Sequence, residues 1–268
     1  MYKGYRTCAI LPARDEAPSI AQVVSDLRDL KVLDRIIVCD NGSCDGTGLL
    51  AKQAGAEIIS HAVPGYGGAC LKALSVIDET DIVIFVDADN SLRINEAILL
   101  LDVVARGADL AIGSRIKPWQ EAGSMTQAQR FGNWLAARLI KLIWRYRVSD
   151  LGPFRAIRFD ALQRIDMQDQ AFGWTVEMQI KAIQNRLIMV EIPVHYRRRM
   201  GQSKISGTLT GVLKAAYGII GTIIRLAIVT RPSPSVPIGA TADGHPRQNW
   251  SEPAKLRARF SLLPSRDR

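Results

Sequence analysis

Two aspartates one residue apart, Asp87 and Asp89, follow the apolar run "DIVIFV" within the stretch "FVDADN". On a strand, residues two apart point to the same face, so two like charges would stand side by side. Either solvent offsets the repulsion in a strand-to-loop turn, or a cation does. Hard oxygen ligands suit Mg2+ or Mn2+, and Mg2+ commonly uses one or two carboxylates together with substrate phosphates. Acids paired at a strand's end therefore fit a site for a metal and a diphosphate, although so short a pattern has little specificity alone.

Four other stretches carry chemistry-bearing residues. Asp40 heads "DNGSCDGT", whose Asn-Gly and Asp-Gly pairs form turns. Its carboxylate serves that turn or accepts hydrogen bonds from a ribose or base, and the metal role stays with Asp87 and Asp89. In "ILPARDEAP", Asp15 and Glu16 either cap the next helix or line a nucleoside pocket. "PGYGGA" is a glycine-rich bend before a helix. It can cradle phosphate, but it lacks the spacing of the nucleotide-binding glycine motifs, and a plain connection is the simpler reading. Glu177, in "GWTVEMQ", is the candidate general base if the group attacked through is a hydroxyl, against the alternative of an exposed helix residue.

These residues need a frame. Strand-like runs over 7–13, 35–40, 56–62, 81–89 and 108–115 alternate with helical patterns over 17–30, 45–55, 67–77 and 94–107. The first helix shows Ile20, Val23, Val24 and Leu27 at helical spacing with Ser19 near its start. Such alternation predicts right-handed crossovers and a mostly parallel α/β sheet, Rossmann-like and flanked by helices. Ligands of such sheets sit beyond the carboxyl ends of the strands, where Asp15, Asp40, Asp87 and Asp89 all fall.

The second half reads differently. A helix over 127–147 would gather Arg130, Arg138, Lys141 and Arg145 within roughly 80° around Trp134, with Phe131, Leu135, Leu139, Leu142, Ile143 and Tyr146 opposite. A second helix is expected over 173–186, then a strand over 188–199 that turns basic. Residues 209–229 form an apolar run long enough for a bilayer. Lys214 and Arg225 lie near one face of it, which favours an amphipathic helix in the membrane interface over core packing or a span. The tail, 231–268, holds six of the twelve prolines and is expected to be disordered and basic. The organisation expected is a catalytic domain over 1–208, an apolar helix over 209–230 and that tail.

The 268 residues suffice for one sizeable domain, and the net charge of +9 points to an anionic partner. No helix-turn-helix, zinc or RNA-recognition pattern is present, and an acidic rim repels phosphate without a metal, so nucleic acid is excluded as the partner. Cys8, Cys39, Cys44 and Cys70 form no C-x-x-C pair, against a zinc cluster. The first residues lack an apolar stretch of signal-peptide length, and the expected location is the reducing cytosol.

Taken in order, "ILPARDEA", "DNGSCDGT", "GYGGA", "FVDADN", "AIGSR", "DLGPFR" and "RRRMGQSKISGT" resemble the motifs of family 2 glycosyltransferases with the GT-A fold. They look most like the dolichyl- or polyprenyl-phosphate mannosyl- and glucosyltransferase branch, and the resemblance covers roughly residues 5–225. It implies inverting transfer of a hexose from a UDP- or GDP-sugar, with Mg2+ or Mn2+ bridging the diphosphate. Under it Pro12, Ala13, Arg14 and Glu16 belong to the sugar-donor pocket and Asp40 binds the nucleoside. Asp87, Ala88 and Asp89 lie at the diphosphate, the two aspartates as metal ligands. Ser91 stands where this branch carries a glutamine that can reach the metal. Arg115, Arg130, Arg198 and Lys204 match binders of donor and acceptor phosphates. "DLGPFR" departs from the branch's usual acceptor-facing loop, and relatives often carry two or four spanning helices where this chain has one apolar run. The implied acceptor is a lipid phosphate, with the protein peripheral on the cytoplasmic face of the cell membrane. The alternative is a soluble GT-A enzyme acting on a saccharide or small molecule. A sugar nucleotidyltransferase would carry a glycine-rich loop that "LPARDEA" lacks.

Overall fold

The computed structural model describes residues 1–115, 119–200 and 209–229, with side chains from 214 onward in the last stretch. The elements of the first half are β1 (Thr7–Ala13), α1 (Ile20–Asp29), β2 (Arg35–Asp40), α2 (Thr47–Gln53), β3 (Glu57–Ser60), α3 (Tyr66–Leu74), β4 (Ile82–Phe85), α4 (Ala97–Ala105) and β5 (Leu110–Ser114). There follow α5 (Gln127–Trp144), β6 (Arg155–Arg158), α6 (Phe159–Ile165), α7 (Trp174–Gln184), β7 (Met189–Pro193) and α8 (Leu209–Val229). The strands make one seven-stranded sheet in the order β3-β2-β1-β4-β6-β5-β7. Only β6 runs antiparallel to its neighbours. The mostly parallel sheet expected from the alternation is present. Residues 201–208, with Lys204, and the tail from 230 lie outside the described residues.

Strand alternation divides the core. Ala9 and Leu11 of β1 pack with Val23, Val24 and Leu27 of α1 and Leu100 and Val104 of α4 on one side. Cys8 and Ile10 pack with Cys70 of α3, Leu162 of α6 and Trp174 and Met178 of α7 on the other. Fully buried side chains of this size contribute about 1.5–3 kcal/mol each relative to exposure. A third cluster joins Ala136, Ile140 and Trp144 of α5, Val176 and Ile180 of α7, and Ile223 and Leu226 of α8. So α8 shares a core with α5 and α7. Among the described residues no helix is long and apolar enough to cross a membrane.

Three boundaries differ from expectation. The strand expected over 81–89 stops at Phe85, because its pairing with β1 ends at Ile10 opposite Phe85. The helix expected over 127–147 ends at Trp144, where Arg145 takes a left-handed φ of 56°. Arg145 is therefore its cap and not part of a helical stripe. The strand expected over 188–199 ends at Pro193, opposite Ser114, the last residue of β5, and the Val194 amide makes the final bond to Ser114 O. β6 is not signalled by its sequence, since "RAIR" places arginines at both ends of a four-residue strand.

Candidate active site

Register sets the rim. Ala13 of β1 is level with Asp40 of β2, so the two strands deliver "PARDE" and "DNGS" side by side. The loops after them are laced together. The Asp15 amide donates to Ser43 Oγ at 2.9 Å and the Cys44 amide to Asp15 Oδ1 at 2.7 Å. The Glu16 amide donates to Thr47 Oγ1 at 2.8 Å and the Ala17 amide to Asp45 Oδ2 at 3.0 Å. Asp15 is held at a positive φ of 48°, a conformation that costs a non-glycine residue energy and persists only under such restraint. Asp40 accepts the Ser43 amide through Oδ1 at 2.9 Å. Its Oδ2 would lie 2.6 Å from any Cβ at position 48, so Gly48 lets α2 begin against that carboxylate. Asp45 is absorbed by the turn, as its bonds to Ala17 and Thr47 show. Pro12 and Ala13 form the last pair of β1, and Arg14 is half-exposed just beyond.

Asp87 and Asp89 leave the sheet, so strand alternation does not set their direction. They sit in a turn completed by Asn90, whose φ is 58°. Asn tolerates that region better than most residues. Asp89 Oδ1 accepts the Ser91 amide at 3.0 Å, and Ala88, itself buried, accepts the Ser19 hydroxyl at 2.8 Å through its carbonyl. Ser19 thus ties the start of α1 to this turn and makes no side-chain cap bond. Tyr66 at the head of α3 donates to Asp87 Oδ1 at 3.2 Å. Burial pushes the Asp87 carboxyl above the usual range, and the neighbouring Asp89 charge adds to this.

Among the described residues, Arg199 is the cation paired with Asp89. Its NH2 donates to Glu16 Oε1 at 2.6 Å, and its NH1 stands 3.6 Å from Asp89 Oδ2. One guanidinium thus links the β1 loop and the aspartate turn. It is held there because the chain over 196–200 runs beside 89–92. The Arg197 amide donates to Ser91 O and the Met200 amide to Asp89 O, both at 2.9 Å, and Tyr196 bridges to Leu92. Among the described residues no group of three or more His, Cys, Asp or Glu could hold a metal. Two hard carboxylates that leave the remaining positions to phosphate oxygens and water fit Mg2+ or Mn2+ and suit no softer ion.

The remaining expected residues divide. Arg115 lies close enough to lower the Asp87 pKa, but its guanidinium is clamped by Asp150, Nε to Oδ2 and NH2 to Oδ1 at 2.8 Å each. It also stacks 5.2 Å from the Tyr196 ring centre. Burial alone would raise Asp150, and the Arg115 charge and hydrogen bonds overcome it and hold the carboxyl below its ordinary value. Arg198 is exposed, with its amide on Glu121 Oε2 at 2.9 Å and its Nε on Ala122 O at 3.1 Å. Arg130 is exposed in the first turn of α5.

Glu177 is buried, which rules out the exposed-helix alternative. Its Oε2 accepts the Asp169 amide at 2.7 Å, and Oε1 stands 3.0 Å from Lys181 Nζ and 3.6 Å from an Arg225 nitrogen. The carboxylate is committed to holding the 168–169 loop and α8, and Arg225, expected on a charged stripe in the membrane interface, turns to it instead. The glycine-rich bend is also committed. The Gly67 and Gly68 amides donate to Ala171 O at 3.2 Å and Gln170 O at 2.9 Å, and the Gly65 amide to Asn41 Oδ1 at 2.7 Å. A Cβ at position 67 would fall 1.9 Å from Asp169 O. Asn41 and the 169–171 loop thus occupy these donors.

Arg199, Tyr66 and Asp150 are the site residues that sequence reasoning missed. Arg199 is one of three consecutive arginines, and only the pairing of 196–200 with 89–92 singles it out. Tyr66 had a signal, a lone aromatic in a glycine run opening a helix. Asp150 sits in the quoted "SDLGPFR", and a buried arginine partner is visible only in three dimensions.

The outward sides of α5 and α8 carry no acidic residue. α5 exposes Phe131, Trp134 and Leu142, the last at 76%, beside Arg138, whose guanidinium lies 5.3 Å over the Trp134 ring. α5 buries Ala136, Ile140 and Trp144, so its basic residues share a face with apolar ones and the expected separation does not occur. α8 exposes Tyr217 at 83% together with Ile224 and Ile228.

The family model for Glycosyl transferase family 2 matches residues 8–166. Glycosyltransferase AglJ of Haloferax volcanii is 30% identical over 193 residues, 72% of this chain, which spans 63% of that protein's length. Polyprenol monophosphomannose synthase of Mycolicibacterium smegmatis is 29% identical over 252 residues, 84% of this chain and 92% of the relative. Among solved structures, glucosyl-3-phosphoglycerate synthase from Mycobacterium tuberculosis, in complex with Mn2+, UDP-glucose and phosphoglyceric acid, superposes with a TM-score of 0.69 at 20% identity, covering 89% of this chain and 84% of that one. At that identity the likeness speaks for the GT-A fold.

Proposed function

Because the chain belongs to glycosyl transferase family 2, we propose that it moves a hexose from a UDP- or GDP-sugar, with inversion, to a polyprenyl or dolichyl phosphate at a membrane surface. The observation that carries the reading is the strand-end rim, where the carboxylates of Asp87 and Asp89 meet the cations Arg115 and Arg199, the latter anchored on Glu16. Asp87 and Asp89 would hold Mg2+ or Mn2+, which neutralises charge building on the departing nucleoside diphosphate. Asp40, Glu16 and the backbone of Pro12, Ala13 and Arg14 would line the nucleoside end of the sugar donor. Their interlaced loops supply orientation in advance, and orientation is where such an enzyme gains rate.

The acceptor assignment rests on chemistry and on one relative. A lipid phosphate is an anion at neutral pH and needs no general base to attack. Glu177, the one base candidate, is consumed by two amide bonds and two cations. The polyprenol monophosphomannose synthase relative is named for such an acceptor. The acid-free, aromatic and basic face of α5 suits an anionic bilayer, on which the protein would sit peripherally on the cytoplasmic side. Arg130, Arg198 and Lys204 are the residues proposed to receive the lipid's phosphate.

The test is a panel of labelled nucleotide sugars with Mn2+ or Mg2+ and undecaprenyl or dolichyl phosphate. Expected is one butanol-extractable product of inverted anomeric configuration, lost with EDTA and restored by the metal. A retained configuration, or turnover that ignores EDTA, contradicts the reading.

A further inference from the structure

Arg199 carries an inference beyond phosphate binding. Its guanidinium is anchored on Glu16 at 2.6 Å and only leans on Asp89, since 3.6 Å exceeds hydrogen-bond length. Its Nε is buried and finds no acceptor. Buried polar atoms are ordinarily satisfied, so an unsatisfied one calls for an explanation. Among the described residues it is also the cation within ion-pair distance of Asp89, the carboxylate that a divalent ion would share with Asp87. A guanidinium beside Asp89 and a divalent ion on Asp89 repel one another, so both cannot keep their places at full strength.

We propose that Arg199 is an internal counter-cation that competes with the divalent metal for Asp89 and exchanges that carboxylate for a phosphate oxygen when metal and nucleotide diphosphate arrive together. This rests on the metal–diphosphate reading of the rim and deepens it. Before binding, the guanidinium offsets part of the repulsion among Glu16, Asp87 and Asp89. The metal alone must displace it without return. A metal–diphosphate complex brings its own anionic oxygens, to which an arginine forms stronger, charge-assisted bonds. Exchange therefore makes the site favour the complex over the bare ion, so that metal is retained only with its nucleotide. The movement needed is small, because backbone bonds at Arg197 and Met200 fix the segment and only the side chain turns.

The signature is a reversal of sign. Mn2+ binding is measured by the loss of its free EPR signal and by calorimetry, with the full chain, alone and with UDP or GDP. Arg199→Gln is expected to bind Mn2+ alone more tightly than wild type, by roughly threefold to tenfold, and Mn2+ with nucleotide more weakly, by about tenfold. Arg199→Lys, which keeps the charge, is expected to bind bare Mn2+ as wild type does, and it guards against a folding defect in the glutamine variant. If Arg199→Gln weakens both, or leaves bare Mn2+ unchanged, or if the lysine variant tightens it too, the competition is overturned. Wild type that binds Mn2+ with nucleotide while the reversal fails sinks this inference and leaves the rim's assignment standing. Wild type that binds no Mn2+ under either condition sinks both.

Discussion

The strand-end rim and the α5–α8 layer treat their charges in opposite ways. On the rim nearly every charged group is answered: Asp15 by the 43–44 turn, Asp40 by Ser43, Glu16 by Arg199, Arg115 by Asp150. On α5, Arg138 stacks over Trp134 in cation–π contact, and Phe131, Trp134 and Leu142 stand in solvent beside it. The first arrangement is prepared to orient a ligand at little further entropy cost. The second leaves apolar and basic groups at the surface, which suits a soft, extended partner and not a small rigid one. Under the proposed function, the first would receive the nucleotide sugar and the second the lipid phosphate in its bilayer.

Damage should therefore differ in kind between the two regions. The largest effect is expected for Asp89→Ala, with kcat/KM falling on the order of 10^4-fold for every acceptor. Turnover that survives removes the metal role. Next is Asp150→Ala, which strands a buried Arg115 charge and should cost about 3–5 kcal/mol of stability, read as a lowered Tm. An unchanged Tm would mean that the clamp is not a structural tie. Smaller is the double change of Trp134→Ala with Arg138→Ala. It should weaken binding to anionic vesicles by roughly fivefold or more, since the arginine alone contributes about 1 kcal/mol at such a surface and the indole's apolar area adds to that. Nucleotide binding in the same variant should stay at the wild-type level, and a matching loss there would abolish the distinction between the regions.

The smallest effect concerns the seam between them. Burial raises the Glu191 carboxyl above its ordinary value, and its bonds from Ser149 only partly offset this. The folded form thus prefers the protonated acid. That contribution is present below the unfolded-state pKa and is lost as pH rises through the raised folded value. Glu191→Gln should accordingly unfold at a slightly higher temperature than wild type at pH 8 and show no gain near pH 4. Thermal melts at both values check it, and a gain at acid pH alone contradicts the sign.

How far these regions were legible in the sequence follows the same divide. The rim depends on local rules: alternation of 2 and 3.6 placed strands and helices, and the carboxyl-end rule placed Asp40, Asp87 and Asp89 together. What escaped there were contacts between distant segments. Arg199 reaches Glu16 across 183 positions, and Arg115 reaches Asp150 across 35. No periodicity encodes such pairs. In the second half the helices were legible but their faces were not. Both Ile140 and Leu142 are apolar, yet one meets α7 and α8 while the other stands in solvent, a choice made by packing alone. Glu177 shows the same limit, since its burial depends on the 168–169 loop and on α8 folding over it.

The central claim is that the prepared rim serves a nucleotide sugar and the open face a lipid phosphate. One reaction tests it most directly. Wild-type protein, Mn2+ and a labelled nucleotide sugar are given two acceptors at once, undecaprenyl phosphate in anionic vesicles and water-soluble 3-phosphoglycerate. The label is then partitioned between butanol and water. Glycosylated product is expected in the butanol phase, formed faster as vesicle charge increases. Product confined to the aqueous phase, whatever the vesicle, would contradict it.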